Sequence, residues 1–329
     1  MKMKKIGLGI IGLGYVGQIH LRHAQRLANA RVIAVADLSK KALKKARNNG
    51  IKNTFTSYEE MLKLPELDAV IIALPTHLHL KCARDATEAG KQIFLEKPIA
   101  RNTQEAKEIL STVQKNNIKL MIGYPLRFNQ QFRALKKKIY DGTLGDIEIA
   151  IANYISSGPF FHRAEAHAPI PVPEWWFNKE LTGGGALIDL GSHIINLLRW
   201  YFGEITDIKS HLGYRFNMPF EDKAICLTKF ENQTTAIINV GWFSQKDQLK
   251  IELIGTVNYA TAQRSHSNPL FNMIQILTRG TSQFNQSRKA ELQHFVDCLI
   301  IDKNPTPTGE DGLKDLEAIE KAYKNQIIL

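Results

Sequence analysis

Cysteine is scarce. The 329 residues contain three, Cys82, Cys226 and Cys298, far apart from one another. That excludes a disulfide framework and points to thiols kept reduced, as in the cytoplasm. No His, Cys or Asp cluster has metal-ligand spacing, so no metal is expected. No apolar run approaches the roughly 20 residues of a membrane span, so no membrane partner is expected either. The lysine-rich start and the apolar stretch after it imitate a signal peptide. That stretch is broken by glycine and runs into a nucleotide-type turn. Cleavage would destroy the first strand, so no targeting role is expected. Repeats and low-complexity tracts are lacking too.

The charge is one-sided, +11 from 43 basic and 32 acidic residues. It is not gathered into a nucleic-acid module. Lys40, Lys41, Lys44 and Lys45, like Lys136, Lys137 and Lys138, spread along helix faces without interleaved aromatics. No specific nucleic-acid partner is expected, and the excess gives a general pull on anionic ligands.

What the chain does have is a glycine turn near its start. Gly12, Gly14 and Gly17 spell G-x-G-x-x-G between an apolar strand, Lys5 to Ile11, and a helix running from Tyr15 to about Asn29. Gly12 permits the turn, Gly14 lets a pyrophosphate approach the backbone, and Gly17 lets the helix pack on the strand. The helix N-terminus then offers N–H groups and a positive dipole end to phosphates. Gly7, Gly9 and Gly12 match the same pattern, but that register would leave almost no strand and expose Ile10 and Ile11 in a turn. The second strand, Arg31 to Ala36, ends at Asp37, where an acid suits a ribose 2′-OH. NAD is the expected cofactor. Asp37 repels a 2′-phosphate, while nearby Ser39 and Lys40 keep NADP possible.

Alternating strands and helices follow as far as Tyr124. Helices are expected over Ser39–Asn49, Tyr58–Lys63, His77–Ala89 and Asn102–Asn116, with Ser39, Ser57 and Thr76 as caps. Strands are expected near Thr54–Phe55 and over Asp68–Leu74, Gln92–Leu95 and Lys119–Ile122. The fold class is α/β. Residues 1–124 form a doubly wound parallel Rossmann sheet, and 125–329 form an α/β domain on an open, largely antiparallel sheet. The last helix is expected to return to the first domain. Ligands of such parallel sheets sit beyond the carboxyl ends of the strands. These ends are Gly12–Gly17, Asp37, Leu74–His79, Glu96–Pro98 and Gly123–Tyr124.

In the second domain, Asp146–Ile155 alternates, with Ile147, Ile149, Ile151 and Ile155 expected on a half-buried face. Ile205–Arg215, Lys223–Phe230, Thr235–Trp242 and Gln248–Ile254 read as further strands, and 255–288 as irregular. Final helices are expected over Arg288–Ile301 and Gly312–Asn325. Residues 156–180, with Phe160, Phe161, Trp175 and Trp176, read as a loop over a cleft. Gly183-Gly-Gly opens a helix on which Asp189, His193 and Asn196 share one face at α-helical spacing. A polar stripe on an apolar helix needs partners. On spacing alone, a satisfied core histidine is the better reading of His193.

Gly12-Leu-Gly-Tyr-Val-Gly, Pro75-Thr-His-Leu-His, Glu96-Lys97-Pro98 and Gly183-Gly-Gly with Asp189-Leu-Gly-Ser-His193 together resemble the Gfo/Idh/MocA oxidoreductases. The resemblance covers nearly the whole chain. It implies hydride transfer between a nicotinamide and a sugar-like alcohol or ketone, and a homo-oligomer built through the open sheet. It implies Lys97, Asp189 and His193 as catalytic residues. Expected cofactor contacts are Gly12, Leu13, Gly14, Tyr15, Val16, Asp37, Leu74, Pro75, Thr76, His79, Glu96 and Lys97. Expected substrate contacts are Tyr124, Arg127, Trp176 and Asn196, with His162, Arg163 and His167 as further candidates that read equally well as solvated loop residues. Helices of this family often continue His-x-x-Asp, where this chain has Asn196.

An imidazole titrates near pH about 6.5, which suits a base for a hydroxyl proton. A lysine, at about 10.4, suits better the hydrogen-bonding of the reacting oxygen and relay of its proton. Two other readings share this fold: a non-catalytic nucleotide-binding protein, and an enzyme that recycles a tightly held dinucleotide.

Overall fold

A computed structural model describes residues 5–159, 173–244, 247–264 and 283–327. The chain divides into two compact units. The first comprises residues 1–125 and 284–313; the second comprises 126–283 and 314–329. The return to the first unit is therefore made ahead of the last helix, most of which belongs to the second.

The first unit is built on six parallel strands: β1 (Ile6–Ile11), β2 (Ala30–Ala36), β3 (Asn53–Phe55), β4 (Ala69–Ile72), β5 (Gln92–Glu96) and β6 (Leu120–Gly123). Their order is β3-β2-β1-β4-β5-β6, all neighbours parallel. The order reverses between β1 and β4, the switch point at which such sheets bind ligands. All four residues of β4 are buried, as expected of a strand covered on both faces.

Helices fill the connections. Ser39 caps Lys40–Asn48 by accepting from the Ala42 N–H, and Asn102 caps Thr103–Lys115 by accepting from Glu105. Two expectations fail here. The first helix stops at Ala24, not near Asn29. Thr76 is no cap: it opens a 3₁₀ turn, Thr76–Leu78, and the α-helix begins only at His79.

The second unit also holds six strands: β7 (Ile147–Ile155), β8 (Ile205–Gly213), β9 (Lys223–Phe230), β10 (Thr235–Gly241), β11 (Gln248–Gly255) and β12 (Tyr259–Arg264). Their order is β12-β11-β7-β10-β9-β8, antiparallel except for the central β10–β7 pair. β12 occupies part of the stretch expected to be irregular; residues 265–282 lie outside the described residues. From Ile149 onward the orientation of β7 is the reverse of that expected. Ala150, Ala152 and Tyr154 are buried, and Ile149 is 41% exposed. Tyr154 on this inward face has its ring 6.0 Å from that of His193 on the nearly fully buried helix Ser192–Phe202. Ile149 and Ile151 are left on the open face, while Ile147 at the start of the strand is buried.

Candidate active site

Along the rim of the first sheet the residues fall in the order of the strands. Asp37 follows β2, the glycine turn follows β1, Leu74–Pro75–Thr76 follows β4, and Lys97 follows β5. With strands about 4.8 Å apart, β2 and β5, which Asp37 and Lys97 follow, are three spacings apart, about 14 Å between strand axes, which suits an extended dinucleotide.

The glycine turn fits such a cofactor. Gly12 has φ +90°, and a Cβ on it would lie 2.5 Å from the Ala73 carbonyl oxygen. A Cβ on Gly17 would lie 1.9 Å from the Gly12 carbonyl oxygen. A Cβ on Gly14 would meet nothing within 4 Å, so space is left over that backbone. The following helix, Tyr15–Ala24, has no side-chain cap and no acid in its first turn, and its N–H groups suit an anion. Leu13 is buried, while Tyr15 is exposed and Val16 partly so. The Asp37 carboxylate accepts from Leu13 N–H at 2.6 Å and from Ser39 N–H at 2.7 Å, which fixes it beside the turn.

His79 does not line the rim. It is 1% exposed, with Nδ1 2.9 Å from the Pro98 carbonyl and Nε2 3.0 Å from the Leu74 carbonyl. It ties together the loops after β4 and β5. Burial, the largest influence, lowers its pKa; the carbonyls and Glu96 act the other way. A neutral ring has one N–H, which serves one carbonyl at a time.

Glu96 is also turned inward. Its carboxylate accepts from His20 Nε2 at 2.6 Å and from Arg288 Nη1 at 3.2 Å. Burial would raise its pKa, but the His20 hydrogen bond and the Arg288 charge outweigh it and hold the group at about 2. Beside it Glu291 is wholly buried, and burial and the Glu96 charge drive its pKa well up, against the Arg288 charge and a backbone hydrogen bond at Tyr124. Tyr124, at 1% exposed, is a core side chain. Lys97 is half-buried, and Thr76 is buried.

In the second unit, the glycines before the polar helix are set by close approach. A Cβ on Gly184 would lie 2.3 Å from Tyr323 Oη, and one on Gly185 1.9 Å from the Glu221 carbonyl oxygen. The Glu221 carboxylate accepts from the N–H groups of Gly185 and Leu187 and from the Tyr323 hydroxyl. It thereby satisfies donors that a helix start leaves open.

The helix does not begin as an α-helix. Leu187–Gly191 is a π-turn, leading into the α-helix Ser192–Phe202. The even α spacing from Asp189 to Asn196 therefore does not hold, because a π-turn winds wider. Asp189 is half-buried; His193 is 6% exposed and packs near the Tyr154 ring, with centroids 6.0 Å apart.

Asn196 is held on both sides. Its Oδ1 accepts from Arg127 Nε at 2.7 Å, and its Nδ2 donates to Asp315 Oδ2 at 2.7 Å. Trp176 is half-buried between Trp175 and Trp242, at centroid distances of 5.7 and 5.9 Å. Phe160, Phe161, His162, Arg163 and His167 lie outside the described residues. Glu221, Asp315 and Arg199 were not singled out in the sequence. The only signal for them was that a polar stripe on a buried helix requires partners. Among the described residues no group of three or more His, Cys, Asp or Glu is placed to hold a metal, and no helix is long and apolar enough to cross a membrane.

Known proteins resemble this chain along nearly its whole length. The family described as "Oxidoreductase family, NAD-binding Rossmann fold" matches residues 6–124, and the "GFO/IDH/MocA C-terminal domain" matches residues 132–260. Scyllo-inositol 2-dehydrogenase (NAD(+)) of Bacillus subtilis is 26% identical, over 98% of this chain and 95% of its own. Rhizopine catabolism protein MocA of Rhizobium meliloti is 30% identical, over 97% of this chain and 95% of its own. Scyllo-inositol dehydrogenase from Lactobacillus casei, solved with NAD(H) and scyllo-inositol, is 25% identical over 99% of each chain, with a TM-score of 0.80. The chain therefore belongs to the GFO/IDH/MocA oxidoreductase family, with an NAD-binding Rossmann domain over residues 6–124.

Proposed function

We propose that the protein oxidises a secondary hydroxyl of a cyclitol or sugar-like polyol, or reduces the matching ketone, with Lys97, His193 and Asp189 as the catalytic residues. The observation that carries this reading is the rim order, with Lys97 three strands from the ribose-binding acid. Bound NAD supplies the carbon that accepts or returns a hydride. Gly12 to Val16 hold the pyrophosphate by backbone N–H groups, and Asp37 holds the adenosine ribose. Leu74, Pro75 and Thr76 offer backbone to the nicotinamide half. Glu96 and His79 contribute by fixing the loops rather than by side-chain contact. NAD is preferred to NADP because Asp37 repels a 2′-phosphate.

Lys97 donates a hydrogen bond to the reacting oxygen. In oxidation the carbinol C–H leaves as hydride, the O–H proton passes to His193, and the C=O bond forms; reduction reverses each transfer. Asp189 orients the imidazole or binds a neighbouring hydroxyl. Arg127 and Trp176 are the further substrate contacts. The substrate class follows the inositol dehydrogenases named above, which the chain resembles along nearly its full length.

A homo-oligomer through the second sheet is part of the proposal. Its open face exposes Ile149, Ile225, Leu227, Ile254 and Tyr259. Leu227, Ile237 and Ile151 stand side by side across β9, β10 and β7. Such a patch on a surface usually marks an interface. Cytoplasmic location fits the three free cysteines.

The test is a panel of inositols, sugars and sugar acids with NAD and NADP, followed by nicotinamide absorbance. Turnover of a cyclitol or polyol with NAD is expected. Cofactor binding with no turnover anywhere in the panel would favour a non-catalytic nucleotide-binding protein.

A further inference from the structure

The polar helix of the second unit carries a chain of buried contacts that ends outside it. Arg127 Nε donates to Asn196 Oδ1 at 2.7 Å, and Arg127 Nη2 reaches the Asn196 backbone carbonyl at 3.3 Å. Asn196 Nδ2 donates to Asp315 Oδ2 at 2.7 Å. The other Asp315 oxygen accepts from Arg199 Nη1 at 2.6 Å. Arg199 in turn meets Glu204 through Nε and Nη2, at 3.0 and 2.7 Å. Asn196, Arg199 and Asp315 are 1%, 7% and 0% exposed.

The direction of this chain is fixed by chemistry. A guanidinium can only donate, and an ionised carboxylate can only accept. An amide between them has one orientation, oxygen to Arg127 and nitrogen to Asp315. The Asp315 carboxylate thus decides which way Asn196 faces, and Asn196 decides where the Arg127 guanidinium is held. Asn196 sits one turn beyond His193 on the same helix. Arg127 also lies over the Trp200 ring, 5.9 Å from its centroid, which limits its movement on that side.

We propose that Asp315 is a positioning residue for substrate recognition, acting through Asn196 to hold the Arg127 guanidinium. This rests on the reading above that Arg127 contacts the substrate. Asp315 touches no reacting atom. Its role is to supply, from the last helix, a negative charge that Asn196 does not itself carry. An aspartate at 196 would bring a second carboxylate to within hydrogen-bonding distance of Asp315. The two positions are therefore linked, with one amide and one carboxylate required between two arginines.

The test exchanges the two groups. Asp315→Asn leaves the amide at 196 without an acceptor of fixed sense, and Asn196→Asp sets two carboxylates against each other. In Asn196→Asp/Asp315→Asn every contact again joins a donor to an acceptor, with the net charge unchanged. Each single variant should raise KM for the cyclitol substrate by about tenfold or more, as expected for a buried hydrogen bond to a charged group, with NADH affinity unchanged. The double variant should recover most of that loss. A substrate-independent reading comes from the Arg127 Nε–H signal in nitrogen-edited NMR, assigned by its loss in Arg127→Lys. It should exchange slowly in the wild type, be lost or exchange-broadened in each single variant, and return in the double. An unchanged Arg127 signal in Asp315→Asn, or a double variant no better than the worse single one, would overturn the positioning role. A signal that follows the exchange while KM stays constant would keep the Arg127 clamp but remove Arg127 from the substrate site.

Discussion

Two buried carboxyls of the first unit should answer the same substitution in opposite ways. Glu96 accepts from His20 and Arg288, and these outweigh burial to hold it at about 2 against an ordinary 4.5. That drop corresponds to about 3 kcal/mol of preference for the charged form. Glu291 is wholly buried, and burial, with the Glu96 charge beside it, drives its pKa well up and favours the neutral form. Glu96→Gln keeps the shape and removes the charge that faces His20 and Arg288. It should cost about 3 kcal/mol at pH 7, or about 6–12 °C in the midpoint of the first unit. Glu291→Gln removes a charge that burial already disfavours and should cost less than about 1 kcal/mol. The sign with pH follows. The Glu96 contribution is complete above pH 4.5 and is lost as pH falls through about 2, so the gap between wild type and Glu96→Gln should narrow with acid. Calorimetry on both variants from pH 7 to pH 3 measures this. Equal costs for the two substitutions, or a gap that widens with acid, would refute the charge assignment.

Other expectations are simpler. His23 is buried with no partner at either ring nitrogen, and burial, with nearby positive groups, lowers its pKa to about 4. Its unfolded form binds a proton first, so stability should fall as pH drops from 6.5 toward 4; His23→Leu should flatten that part of the profile. Gly185→Ala would bring a Cβ to 1.9 Å from the Glu221 carbonyl, costing about 1–3 kcal/mol and turnover while NADH binding to the first unit persists. NADH should bind at least about tenfold more tightly than NADPH, and calorimetric titration giving equal constants would contradict the role of Asp37. Leu227→Lys, on the open face of the second sheet, should lower the sedimentation mass by dissociating subunits.

Much of the fold was legible in the sequence because the first unit obeys local rules. Its central strands β1 and β4 are short and apolar, and Ser39 and Ser57 cap where they were expected to. The second unit was harder for three physical reasons. Alternation in β7 marks two faces without saying which is buried, and Ile149 and Ile151 lost the core to Ala150, Ala152 and Tyr154. A π-turn at Leu187–Gly191 breaks the regular spacing assumed for Asp189, and nothing in Leu-Ile-Asp-Leu-Gly announces it. Asn196 suggested a missing carboxylate, and the one that serves it is supplied by Asp315, 119 positions away in sequence. Spacing along one helix carries no information about such a partner. Glu96 shows the same limit: its motif marks a rim position, but its carboxylate belongs to the packing beneath.

The proton-transfer roles proposed for Lys97 and His193 are tested most directly by measuring turnover and NADH affinity together in Lys97→Ala and His193→Ala. Each substitution is expected to lower kcat by about 100-fold or more while the NADH dissociation constant changes little. Wild-type turnover in both variants would contradict the proposed chemistry.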